Sequence, residues 1–231
     1  MKWRSLEEST PDRAMRPLRD VYAERKELIS KYVPPEIQSI HMGVVAELKQ
    51  SGMAERVLHP GWKVQPFELP DHNGRICRLS DLLANGPLVI CFFRGRWCPF
   101  CVGQLEAMNA IYSEIQKSGA SLVAISPQTV QQTFFMADQH KLRFSLLSDA
   151  GNKVAREFGL VYRVPEYQQD IYRRVFVNLP FVNGDPAWEL PIPATYILDR
   201  DYSVLYATAD PDYTDRPEPL EMVQFLSQLP R

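Results

Sequence analysis

The stretch Leu88 to Gln104, LVICFFRGRWCPFCVGQ, constrains the fold of this chain more than any other. Leu88 to Phe93 is an uninterrupted apolar run, the pattern of a strand buried on both faces, and it empties into the basic turn Arg94-Gly95-Arg96. Trp97, Cys98, Pro99, Phe100 and Cys101 come next. Leu105, Met108, Tyr112 and Ile115 then recur at offsets of three and four, which predicts a helix from the cysteines to about Lys117, ended by Gly119. A chain with this stretch must deliver a cysteine pair from the end of a buried strand to the start of a helix.

The flanking sequence supplies a domain around that junction. Phe67 to Leu79, FELPDHNGRICRL, places Asn73-Gly74 between two short strand-like runs, the signal for a tight hairpin. Ser80 to Leu83 reads as a short helical turn. Downstream, strand patterns at Ala120 to Ile125 and Phe144 to Leu147 alternate with helical patterns at Thr129 to His140 and Asn152 to Phe158. In the second strand–helix unit Phe134, Phe135 and Met136 are expected partly inward. Two further strands, Ala194 to Leu198 and Val204 to Thr208, precede a last helix over Glu218 to Leu229. The alternation predicts an α/β domain with a partly parallel sheet. Val161 to Glu189, rich in aromatics and prolines, reads as an irregular insertion.

Upstream of Pro60-Gly61 the composition changes. Leu18, Val21, Tyr22, Leu28, Ile29 and Tyr32 fall at helical spacing, Pro34-Pro35 stops that helix, and Ile37, Ile40, Val44 and Leu48 begin another that runs to Gly52. The expected organisation is therefore an N-terminal helical extension, residues 1–59, and a main domain, residues 60–231. The hairpin serves either as a surface for a partner or as a cover packed on the main domain, and the cover is the expectation.

Composition excludes several classes. At 231 residues and 45% hydrophobic content the chain can bury a full core. A formal net charge of -2 argues against a general nucleic-acid binder. MKWRSLEEST lacks the apolar segment of a secretory leader, and no run has the length of a membrane span, so a cytoplasmic protein without membrane partner is expected. Four cysteines, Cys77, Cys91, Cys98 and Cys101, are too few for a secreted disulfide scaffold.

The chemistry therefore falls to Cys98 and Cys101. A thiolate attacks peroxides and disulfides, and an ordinary cysteine is only a few per cent ionised at neutral pH. Unpaired N–H groups at a helix start, with Arg94 and Arg96 nearby, favour the anion. Pro99 suits the first helical turn, where no hydrogen bond is lost. Two intervening residues bring the sulfurs close enough to form a disulfide, so the pair can cycle between dithiol and disulfide with no cofactor. The competing structural-zinc reading requires four ligands, and neither the other cysteines nor His41, His59, His72 and His140 form a second close pair. Cys91 reads as a core residue and Cys77 as part of the hairpin.

FELPDHNGRICRLSDLL, FFRGRWCPFC, LVAISPQT, LLSDAGNKVAREFGL and LPIPATYILDRD, in this order, resemble the alkyl hydroperoxide reductase and thiol-specific antioxidant family, a peroxiredoxin-like branch of the thioredoxin-fold superfamily. The resemblance spans about Pro60 to Leu229 and implies a thioredoxin-like fold: a central mixed sheet flanked by helices, here with an N-terminal helical hairpin. It implies two different sites. Laid on thioredoxins and glutaredoxins, Cys98 after Trp97 is the nucleophile of a C-P-F-C centre, Pro193 in Ile192-Pro193-Ala194 occupies the cis-proline position, and Trp97, Pro99, Phe100 and Ile192 face the substrate. Laid on peroxiredoxins, Cys101 is the peroxidatic cysteine. Cys98 then stands where the family has threonine, Arg94 where it has proline, and Pro193 near the family's late activating arginine. Arg94, Arg96, Arg173, Arg174 and Arg216 could each replace that charge, with Arg94 first by proximity.

Two activities follow from these readings. In a thiol peroxidase, Cys101 attacks a hydroperoxide and Cys98 resolves the sulfenic acid to a disulfide, which thioredoxin, glutaredoxin or a small thiol reduces. In a disulfide reductase, Cys98 attacks a substrate disulfide and Cys101 releases the product. A non-catalytic binding protein is the third reading. The peroxidase is the expectation, without metal, and a homodimer is expected by analogy alone.

Overall fold

The computed structural model describes residues 16–229. The reading of the first ten residues as free of a leader, and the outer ends of both expected domains, lie outside that range.

A five-stranded sheet carries the molecule. Its strands are β3 (Leu88–Phe92), β4 (Ser121–Ser126), β5 (Ser145–Ser148), β8 (Ala194–Leu198) and β9 (Val204–Ala209), in the order β5-β4-β3-β8-β9. β3 pairs with β4 in parallel and with β8 antiparallel, so the sheet is mixed and β3 lies at its centre. All five residues of β3 are buried. Alternate side chains feed the two faces, as a pleat with period two requires. Val89 and Cys91 join one core, with Leu122, Ala124 and Ile197, while Leu88, Ile90 and Phe92 join the other, with Val123, Ile125 and Tyr196.

The first core is closed by α5 (Pro99–Ala110), α6 (Tyr112–Lys117), α7 (Val130–Gln139) and α11 (Pro219–Ser227), together with the N-terminal helix α1 (Leu18–Tyr32). The second is closed by α3 (Met53–Arg56), α4 (Leu79–Leu82) and α8 (Lys153–Glu157). A helix α2 (Pro35–Gln50) follows α1 after the Pro34-Pro35 stop. A small hairpin, β1 (Glu68–Pro70) with β2 (Ile76–Arg78), turns at Asn73-Gly74 and carries Cys77 opposite Leu69. No helix among the described residues is long and apolar enough to cross a membrane.

Four expectations are corrected. The helix after the cysteines is two helices, because Ile111 leaves helical geometry between α5 and α6. Phe134 and Phe135 are 45% and 44% exposed and only Met136 turns inward, since three consecutive residues on a helix cannot share one face. Residues 161–189 are not irregular. They form β6 (Val161–Arg163), α9 (Glu166–Arg174), α10 (Leu179–Asn183) and β7 (Glu189–Pro191), with β6 and β7 paired antiparallel. Finally, no cis peptide bond occurs among the described residues, so the bond before Pro193 is trans, the isomer X–Pro bonds prefer when nothing in the fold demands the other. Ile192 there donates its N–H to Leu160 O at 2.8 Å and continues the extended path from β7 into β8.

Candidate active site

β3 ends at Phe92, and its last hydrogen bond, from Phe93 N to Ile125 O at 3.0 Å, aims the chain out of the sheet. The turn then folds back on itself. Cys98 N donates to Gly95 O at 3.1 Å, and a Cβ on Gly95 would lie 2.5 Å from Trp97 Nε1, so only glycine fits beneath the indole. Cys98 is the N-cap of α5, Pro99 its first residue, and Cys101 the third. Both thiols are reduced and are 1% and 0% exposed.

The two sulfurs are not equivalent. Burial raises the Cys98 thiol well above its ordinary range, and its hydrogen bond to Cys101 raises it further. Burial also acts against ionisation of Cys101. It is outweighed by the hydrogen bond from Cys98, by the charges of Arg216 and Arg94 and by the Arg94 backbone N–H, which together lower the Cys101 pKa to about 5. In the resting dithiol, Cys101 is the thiolate and Cys98 the thiol that donates to it.

Each cation is held in a different way. Arg94 is 2% exposed, its Nη2 donates to the Tyr172 hydroxyl, and its guanidinium lies 4.1 Å from the Tyr213 ring centroid and 4.8 Å from that of Trp97. Among the described residues no carboxylate pairs with it, and its Nε is buried without a partner. A buried cation of this kind requires an anion close by, and the Cys101 thiolate fills that role. Arg216 brings Nη2 to 4.0 Å from Cys101 Sγ, while its Nη1 donates to Asp215 O at 2.7 Å. Arg96, expected beside the sulfurs, is exposed and turns away, its Nε donating to Gln132 Oε1 at 2.9 Å and its backbone N–H to Gln128 Oε1 at 2.7 Å.

The surroundings are aromatic and come from distant segments. Tyr162 of β6 and Tyr172 of α9 are kept neutral by burial. His41 of α2 accepts at Nδ1 from Gln168 Nε2 at 3.0 Å, and burial, helped by Arg94, lowers its pKa to about 4, so it too is neutral. From α1, Tyr22 donates its hydroxyl to Phe100 O and Arg25 donates to Pro99 O. The Phe100 ring is buried between Tyr22 and Tyr213, with ring centroids 5.0 Å and 5.9 Å away.

Of the residues singled out in the sequence, Cys98, Cys101, Arg94, Trp97, Pro99 and Phe100 converge. Ile192 and Pro193 are buried at the start of β8. Pro193, Thr195, Tyr206, Val57 and His59 line a cleft of about 600 Å³ that Arg216 also borders. Sequence reasoning left Tyr22, Arg25, Tyr172 and Tyr213 without a role and ranked Arg216 behind Arg94. Among the described residues no cluster of three or more His, Cys, Asp or Glu side chains is arranged to hold a metal ion.

Comparison with known proteins gives the family and the fold. Residues 60–207 match the AhpC/TSA family. The chloroplastic peroxiredoxin Q of Sedum lineare is 38% identical over 136 residues, 59% of this chain and 61% of that one. The chloroplastic peroxiredoxin Q of Triticum aestivum is 34% identical over 140 residues, 61% of this chain and 54% of that one. The match thus spans little more than half the length of these relatives. Among solved structures, the peroxidoxin BcpB of Mycobacterium tuberculosis superposes with a TM-score of 0.60 at 25% identity, covering 75% of this chain and 99% of that one. A cysteine-to-serine mutant of Xylella fastidiosa PrxQ shares the fold with a TM-score of 0.59 at 15% identity, over 73% of this chain and 95% of that one.

Proposed function

Because this chain belongs to the AhpC/TSA family, we propose that it is a thiol peroxidase in which Cys101 is the nucleophile and Cys98 the resolving thiol. The observation that carries this reading is the asymmetry of the pair: Cys101 lowered to about 5 between two guanidiniums, Cys98 raised.

In the first step the Cys101 thiolate attacks the distal oxygen of a hydroperoxide. An S–O bond forms, the O–O bond breaks, and the leaving alkoxide takes a proton and departs as an alcohol, or as water from hydrogen peroxide. Arg94 and Arg216 stabilise the negative charge as it moves from sulfur to the departing oxygen. Cys101 is then a sulfenic acid. Cys98 attacks it, an S–S bond forms, the S–O bond breaks, and the hydroxide leaves as water with the Cys98 proton. A dithiol protein such as thioredoxin or glutaredoxin, or a small thiol, returns two electrons and restores both thiols. A reducing compartment such as the cytoplasm suits that last step. We retain residues 1–59 and 60–231 as extension and main domain, and a homodimer by analogy. The alternative, Cys98 as attacker of a substrate disulfide, asks the more weakly acidic sulfur to be the anion.

The test is hydroperoxide consumption by wild type, Cys98→Ser and Cys101→Ser. The expected result is no enzymatic consumption by Cys101→Ser and one rapid turnover by Cys98→Ser. Peroxide turnover at the wild-type rate in Cys101→Ser would sink the assignment.

A further inference from the structure

Both ends of the site are tied to α1, which lies outside the family-matched segment. At the N-terminus of α1 the backbone N–H groups of Leu18 and Arg19 donate to the two oxygens of Glu218, at 2.9 Å and 2.8 Å. Four N–H groups at a helix start lack intrahelical partners, and a carboxylate there is also favoured by the helix dipole. Glu218 sits between Pro217 and Pro219, whose rings fix the backbone, and only two residues after Arg216. One turn along α1, Tyr22 and Arg25 donate to the carbonyls of Phe100 and Pro99, the two residues between the cysteines. The fit is close, because a Cβ on Gly103 of α5 would lie 2.8 Å from Arg25 Nη1 and 3.2 Å from the Tyr22 ring.

We propose that α1 is a working part of the active site: through Glu218 it holds Arg216 beside Cys101, and through Tyr22 and Arg25 it braces the turn that carries both sulfurs. Glu218, Tyr22 and Arg25 are positioning residues. The inference rests on the thiolate assigned to Cys101 above, but not on the identity of its substrate. The titratable groups around the pair from other elements are Tyr22 of α1, Tyr162 of β6, Tyr172 of α9 and Tyr213, all raised by burial, Cys91 of β3, raised likewise, and His41 of α2, lowered to about 4 chiefly by burial; the cations are Arg94, Arg216 and Arg25. None of the tyrosines competes with Cys101 for ionisation in the acid range.

The experiment follows the ultraviolet thiolate absorbance of the reduced full chain against pH. Glu218→Ala should move the Cys101 midpoint upward, leaving roughly threefold to tenfold less thiolate at a fixed pH below it, the scale of a partly displaced opposite charge. Glu218→Gln, whose single amide oxygen still accepts from one of the two N–H groups, should recover part of that shift. Tyr22→Phe, which keeps the ring and loses the hydrogen bond, should give a smaller shift. Adding Glu218→Ala to Arg216→Ala should produce little further change, because the first acts through the second. Thermal melts accompany each variant, and if Glu218→Ala fails to fold, Glu218→Gln and Tyr22→Phe decide. Unchanged midpoints in folded Glu218→Ala or Tyr22→Phe, or a full extra shift in the double variant, would overturn the proposal. A protein that ionises Cys101 but consumes no hydroperoxide would remove the peroxidase reading and leave this one standing.

Discussion

The turn between β3 and α5 and the segments that enclose it teach different lessons about how a site is specified. Residues 88–101 carry the reacting atoms in one continuous stretch, and local rules place them: a buried strand, a glycine under Trp97, a proline at the first helical position. The enclosing groups, Tyr22, Arg25, His41, Tyr172, Tyr213 and Arg216, come from four separate places in the chain and meet only through tertiary packing. The first region supplies two chemically equal cysteines. The second makes them unequal: Arg216 approaches Cys101 Sγ at 4.0 Å, while at Cys98 burial and the hydrogen bond to Cys101 outweigh the same two cations and keep the thiol raised.

That contrast can be broken most severely at Arg216. Arg216→Ala removes a cation 4.0 Å from Cys101 Sγ. The expected loss in kcat/KM for hydroperoxide is about 100-fold, the scale of removing one preorganised stabiliser of transition-state charge, read in a steady-state assay with thioredoxin as donor. A loss under about threefold would mean the enclosing segments tune little.

Next in size is Gly103→Ala. It tests the α1 contact as packing, since the new methyl meets Arg25 and Tyr22. Destabilisation of about 1–3 kcal/mol in a urea melt is expected from overpacking, with a lower apparent affinity of α1 for its seat visible as earlier proteolysis there. Neutral stability would show that α1 gives way freely.

The pH dependence follows from the depressed Cys101 pKa of about 5. Between that value and the ordinary thiol range the unfolded chain holds a proton that the folded chain lacks. Stability from this group is therefore fully present above the unfolded thiol pKa and declines as pH falls toward about 5. The rate of the first oxidation step should be flat near neutrality and halve near pH 5. A midpoint near the ordinary thiol value in the stopped-flow rate would contradict the asymmetry. The smallest effect belongs to Arg96→Ala. This exposed arginine bonds Gln132 rather than sulfur, and its loss should change the peroxide rate by less than about twofold.

The difference between the two regions also explains what was legible in the sequence. The strand order could not be read from periodicity, but the alternation around Leu88–Phe92 and the C-x-x-C at a helix start were enough for an α/β redox domain. What failed depended on distance along the chain. Arg96, two residues from Cys98, reads in the sequence as a neighbour of the sulfurs, whereas side-chain direction sends it to Gln132. Arg216 lies 115 residues from Cys101, with no local signal to announce it. Residues 161–189 hid a helix, α9, because its inward face is built from Gln168, Gln169, Ile171 and Tyr172 rather than from an apolar stripe. Those buried polar residues serve the site: Gln168 holds His41, and Tyr172 holds Arg94. Pro193 matched a position in a resemblance, and its trans bond shows how far a single proline can be carried from one branch of a superfamily to another.

Cys101, not Cys98, is the sulfur proposed to be oxidised first. The order is read by mixing each reduced variant, Cys98→Ser and Cys101→Ser, with one equivalent of hydroperoxide, trapping sulfenic acid with a dimedone probe and locating the adduct by peptide mass spectrometry. The expected result is an adduct on Cys101 in Cys98→Ser within the first turnover and none on Cys98 in Cys101→Ser. Rapid labelling of Cys98 in Cys101→Ser, with Cys101 unlabelled in the other variant, would contradict it.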